Sequence, residues 1–105
     1  MRKYKNYEEG LKVRLADSAY AKEYLTVALE EYEEDGNIEA FLLAVRDVAN
    51  AQGDLSKLAE HTQLSHESIY KALSENGTLQ FDTIGPILRG LGFKFSIESL
   101  ENSPQ

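Results

Sequence analysis

Residues 55–74, LSKLAEHTQLSHESIYKALS, constrain the fold more than any other stretch of the chain. Two short segments with helical apolar spacing, Leu55/Leu58/Ala59/Thr62 and Ile69/Ala72/Leu73, flank a polar turn at Gln63, Leu64 and Ser65. That spacing predicts a helix-turn-helix, whose second helix can be laid into the major groove of DNA. Ala59 is small where the two helices must cross. Leu64 points inward from the turn, and Ile69 fills the gap between the helices. Ser65 is a suitable N-cap, since its hydroxyl can accept from the backbone N–H of Glu67 or Ser68.

In such a motif the second helix presents its first turn and one face to the bases. Here that places Ser65, His66, Glu67, Tyr70 and Lys71 outward. Lys71 can donate to guanine edges or to phosphate, and Glu67 can accept from a cytosine amino group. His66 or Ser65 can serve either partner, and the phenol of Tyr70 can reach a phosphate or a thymine methyl. Ser56 and Lys57 stand at the start of the preceding helix, where free N–H groups favour anions. Ser74, Asn76 and Thr78 are further phosphate candidates. Taken singly, each is also what a solvated side chain looks like. Taken together, against the inward Leu64, Ile69 and Leu73, they favour a nucleic-acid face.

The charge pulls the other way. Eleven Lys and Arg stand against eighteen acids, a formal net charge of −7, whereas non-specific DNA affinity comes largely from cations on phosphates. The expectation is weak non-specific binding, with specificity resting on the paired sites of a dimer. The acidity also suits a basic protein partner.

Other chemistries lack their residues. There is no Cys, hence no thiolate metal site and no thiol nucleophile. His61 and His66 fall on opposite sides of the turn without metal-ligand spacing. There is no nucleophile elbow and no phosphate-cradling glycine loop, so neither an enzyme nor a cofactor or metal is expected. No apolar run approaches a membrane span and no signal peptide is visible, which points to the cytoplasm.

The remaining chain supplies the scaffold. At 105 residues it fits one domain with a modest core. Residues 1–16 read as an N-terminal arm, polar at first and with Tyr4 and Tyr7 among Arg2, Lys3 and Lys5. The arm ends in Leu11–Lys12–Val13–Arg14–Leu15, an alternation that predicts a short strand. Its only mate would be Phe93–Lys94–Phe95–Ser96–Ile97–Glu98, two strands that need support from helices, a second subunit or another protein.

Residues 17–105 form the helix-turn-helix domain. Asp17 caps a helix over about 18–33, with apolar positions from Tyr20 and Ala21 to Leu29 and Tyr32. Glu30, Glu31, Glu33, Glu34 and Asp35 at its far end make either a solvated terminus or a landing patch for a basic partner. Gly36 ends that helix and Asn37 caps the next, whose apolar face (Ile38, Phe41, Leu42, Val45, Val48, Ala49, widened by Leu43 and Ala44) predicts a central position. A last helix spans about 83–91. Pro86 requires it to start near Asp82–Thr83 or to kink, and Gly92 follows it as an αL cap.

Several pieces occur together: Tyr24–Leu25, AFLLAVRDVANAQG over 40–53, LSHESIYKALS over 64–74, and Phe81–Asp82–Thr83 leading into Leu88–Arg89–Gly90–Leu91–Gly92. Over about 17–98 the chain resembles the addiction-module antidote family, the HigA-type antitoxins with a Cro/lambda-repressor-like (XRE) helix-turn-helix. The resemblance implies a small dimeric operon repressor on a palindromic operator that also neutralises a basic RelE/ParE-like toxin. It maps the family's recognition positions onto Ser65, His66, Glu67, Tyr70 and Lys71. Three features depart from the family: Gln63 replaces the usual turn glycine, Pro86 replaces a helix former, and the basic arm with its alternating segment precedes the likeness. The fold expected is therefore mainly α, a five-helix lambda-repressor-like DNA-binding domain with a short β element. A stand-alone prophage-type repressor, or an interaction module using the helix pair only as scaffold, are the alternatives.

Overall fold

The computed structural model describes residues 2–74 and 80–100, with residues 2–8, 54 and 55 described by their backbone alone. Six helices follow one another among them: α1 (Arg2–Leu15), α2 (Ser18–Asp35), α3 (Ile38–Ala51), α4 (Asp54–Thr62), α5 (His66–Ala72) and α6 (Phe81–Gly90). The five helices expected from residue 18 onward are there. The β element is not: among the described residues there is no strand, and the first of its two segments is the last part of α1.

The reason lies in an ambiguity of short periodicity. Leu11, Val13 and Leu15 fit a period of two, but Leu11 and Leu15 are also four apart, one helical turn. In the helix Leu15 is 1% exposed and Leu11 packs against the core, while Val13 turns outward at 74% exposure. A strand would have aligned all three and left its backbone waiting for a mate, whereas the helix satisfies it internally. The carbonyl of Leu15, at the helix end, accepts from the side-chain amide of Gln52 at 3.1 Å, which ties α1 to the end of α3. Phe93 to Glu98 is left with no mate among the described residues and takes no regular secondary structure.

The expected caps formed. Asp17 accepts from the Tyr20 N–H, and Asn37 from the Glu39 N–H at 3.1 Å. Gly36 adopts φ 72°, and its N–H bonds the carbonyl of Tyr32. The hydroxyl of Tyr24 donates to Asp47 at 3.1 Å and joins α2 to α3.

α3 is the pivot. Phe41, Leu42, Ala44, Val45, Val48 and Ala49 are all buried, because α1 and α2 pack on it from one side and α4 from another. Leu43 is the exception: it points away from the packed faces and is 49% exposed, so it does not widen the apolar face as expected. α5 and α6 pack on α4 and on each other.

α6 begins at Phe81, so Pro86 lies inside it and withholds one backbone N–H from the carbonyl of Asp82. The far end closes as a Schellman motif. Gly92 at φ 94° donates to Arg89 O, and the Phe93 N–H reaches back to Leu88 O at 2.8 Å. The chain then folds back, and Phe95 meets Phe81 edge-to-face with ring centroids 5.4 Å apart. No helix among the described residues is long and apolar enough to cross a membrane.

Candidate nucleic-acid interface

α4 and α5 meet through three residues, and each has a defined task. Gln63 takes the left-handed conformation, φ 63° and ψ 16°, and its N–H bonds the carbonyl of Ala59 at 3.0 Å. The absent glycine is therefore replaced by a residue that bears the strain. Leu64 packs half-buried against the core. Its N–H is held by the Thr62 hydroxyl, which itself donates to Leu58 O. Ser65 is extended, and its Oγ accepts from the Ser68 N–H at 3.0 Å. Of the two donors considered for this cap, Ser68 supplies the bond.

α5 is amphipathic in the sense the motif requires. Ile69 and Leu73 are 0% and 2% exposed and face α4 and α6, while Ser65, His66, Glu67, Tyr70 and Lys71 are all exposed. Tyr70 presents 61% of its surface. Lys57 and Lys71 form no ion pair among the described residues. His61 places Nδ1 3.1 Å from the carbonyl of Lys57, within its own helix.

The phosphate candidates divide. Ser56 and Lys57 are exposed in the first part of α4, as expected. Ser74 is half-buried, and its hydroxyl donates to Lys71 O at 3.0 Å, so it serves the helix end first. Asn76 and Thr78 lie outside the described residues.

Two features of the surface were not anticipated. Ser68, exposed between Glu67 and Ile69, shares the outer first turn, and its Oγ accepts from that of Ser65 at 3.0 Å. Its spacing of three from Ser65 was the available signal. Arg89 is the other: an exposed cation in the last turn of α6, it lines a shallow recess with His61, Thr62 and Pro86 beside the end of α4.

A close approach fixes the pair against the rest. A Cβ on Gly90 would lie 2.7 Å from Leu58 Cδ1 and 3.0 Å from Thr62 Cγ2, so α6 touches α4 backbone to side chain. Leu58 is itself buried at 3% exposure and has little room to withdraw.

The charge is partitioned. Residues 17–50, which hold α2 and α3, carry nine acids and two bases, the whole of the −7; the remainder balances nine against nine. Glu30, Glu31, Glu33 and Glu34 near the end of α2 are exposed and make no ion pair among the described residues. α4 and α5 are close to neutral.

Comparison with known proteins now bears on this arrangement. A family model described as "probable addiction module antidote protein" matches residues 6–99. The chain belongs to the addiction-module antidote family. An uncharacterised protein of Haemophilus influenzae is 31% identical over 84 residues, 80% of this chain and 86% of the relative. No solved structure matches. The family match includes all six helices in whole or in part, from Asn6 in α1 to the segment after α6. Membership of the antidote family gives the chain an antitoxin role and a cognate toxin as partner.

Proposed function

We propose that the chain is a non-catalytic, sequence-specific DNA-binding repressor serving as the antitoxin of its module, of the HigA type with an XRE helix-turn-helix. It acts as a dimer on a palindromic operator and neutralises a basic RelE/ParE-like toxin. The observation that carries the DNA half is α5. Its apolar side is fully sequestered, while Ser65, His66, Glu67, Tyr70 and Lys71 stand on the outside of one short, capped helix.

Lys71 is the cation for guanine edges or phosphate, Glu67 the acceptor for a cytosine amino group, and Tyr70 the contact to phosphate or a thymine methyl. Ser65 orients more than it reads, since its hydroxyl already engages Ser68. Ser56 and Lys57 meet the backbone at the start of α4, and Ser74, Asn76 and Thr78 are the further phosphate candidates in the sequence. The toxin half rests on family membership and on the acidity of residues 17–50, which suits a basic protein.

The test is a gel-shift titration on the palindrome upstream of the chain's own gene. Lys71→Ala should weaken binding by about 1–3 kcal/mol, roughly five- to 150-fold. Unchanged affinity would remove α5 from the DNA face. A second reading has one observation behind it: the same acidity would serve an interaction module that never touches DNA. That reading expects no shift of any DNA at low salt, with the toxin still co-purifying.

A further inference from the structure

One side of α2 is acidic and apolar at once. Glu23, Val27, Glu30, Glu31 and Glu34 recur three or four residues apart, which places them along one stripe of the helix. All are exposed. Val27, with 52% of its surface open to solvent, stands in the middle: Glu23 lies one turn before it, Glu30 and Glu31 one turn after. Leu43 of α3, 49% exposed, stands beside this stripe. It lies one turn before Asp47, whose carboxylate accepts from the Tyr24 hydroxyl, and Tyr24 lies one turn before Val27. That bond fixes the two apolar side chains on one side of the α2–α3 pair. Arg14 over the Tyr20 ring, 5.7 Å from its centroid, closes the stripe at its N-terminal end.

In the free chain these carboxylates repel one another. Glu30 and Glu34 are four apart and Glu31 and Glu34 three, spacings at which like charges destabilise a helix. Glu34 also lies in the last turn of α2, where an anion opposes the helix dipole. The bases of residues 17–50, Lys22 and Arg46, stand against nine acids. A cationic partner turns these repulsions into attractions.

We propose that Glu23, Val27, Glu30, Glu34 and Leu43 form the surface on which the toxin docks, through Lys or Arg side chains set around an apolar one. The proposal rests on the toxin half of the reading above and adds the site. An apolar centre ringed by polar side chains that exclude water is the form of an interface hot spot. The sign of the ring selects a basic protein. It turns away DNA, and it turns away a second copy, since a two-fold axis through the patch would set carboxylates on carboxylates. α2 packs on α1 and α3 while α5 packs on α4 and α6, so toxin and operator are met by different helices.

The test takes the full chain and, as ligand, the purified product of the toxin-like reading frame beside its gene, titrated by surface plasmon resonance at several salt concentrations. The double reversal Glu30→Lys/Glu34→Lys should weaken binding about tenfold, mainly through a slower association that depends less on salt. Leu43→Ala should speed dissociation about tenfold. Glu34→Lys alone should raise the thermal midpoint of the free chain, because a cation there suits the helix dipole and follows Glu30 by four residues. Affinity falling while stability rises separates docking from a folding defect. Glu60→Lys, an equal change of charge at an exposed acid of α4, should alter affinity by less than about twofold. Binding of the wild type with the double reversal or Leu43→Ala unaltered overturns this surface and leaves the toxin reading intact. So does an equal loss in Glu60→Lys, or a self-association of the chain that the double reversal abolishes in sedimentation velocity. A wild type that does not bind the neighbouring product removes the toxin reading and this surface together.

Discussion

Gln63 holds φ at 63°, the single positive value at a non-glycine among the described residues. An L-residue in that region pays roughly 1 kcal/mol that glycine does not. The conformation persists because its neighbours dictate it: the Gln63 N–H closes onto Ala59 O, and Ser65 must be placed to cap α5 two residues later. Gln63 is exposed, so its side chain returns little of that cost. Gln63→Gly should therefore raise stability by up to about 0.5 kcal/mol in urea unfolding, after allowance for the more flexible unfolded chain. A loss of stability would mean that the glutamine side chain contributes to the turn.

At the scale of elements, the tightest junction is α6 on α4. Gly90 admits no side chain, because a methyl there meets Leu58 and Thr62 at 3.0 Å or less. Gly90→Ala should lower stability by about 1–3 kcal/mol in thermal unfolding, although alanine favours the helix itself. A neutral result would show that α6 can slide away from α4.

The elements themselves were readable where periodicity had room to declare itself. Apolar residues every three or four positions, from Tyr20 to Tyr32 and from Ile38 to Ala49, cannot be mistaken for a strand over several turns. The cap residues Asp17, Asn37 and Ser65 marked their starts for the same local reason, each being a short acceptor placed before free N–H groups. Leu11 to Leu15 failed because five residues satisfy both periods, and only the long-range burial of Leu15 decides between them. The outward set on α5 followed from the same spacing that buried Ile69 and Leu73. Ser68 did not, since a residue named as a cap donor is easily overlooked as surface. Nor could a total charge reveal where the charge lies.

For the whole molecule, the two lysines of α4 and α5 set the electrostatics of the proposed DNA contact. Lys57 and Lys71 neutralising one phosphate each would give log K against log salt a slope of about −2 per subunit, shallow for a DNA-binding protein. Lys57→Ala should flatten that slope by about 1 while leaving discrimination between operator sequences unaltered. A steep slope in the parent protein would mean that other cations, such as Arg89 or those of α1, also reach the DNA. On the proposed reading, stability and address are carried by different parts: α3 packs against α1, α2 and α4, and α5 turns its outward side chains to the DNA. The distribution of charge has one more consequence, since residues 1–16 carry five bases against two acids while 17–50 carry nine acids against two bases. The molecule is an electric dipole, and beside any polyanion it experiences a torque before it experiences contact. Repulsion turns the acidic helices away and attraction draws the basic α1 forward, so net charge of the wrong sign still leaves a preferred alignment.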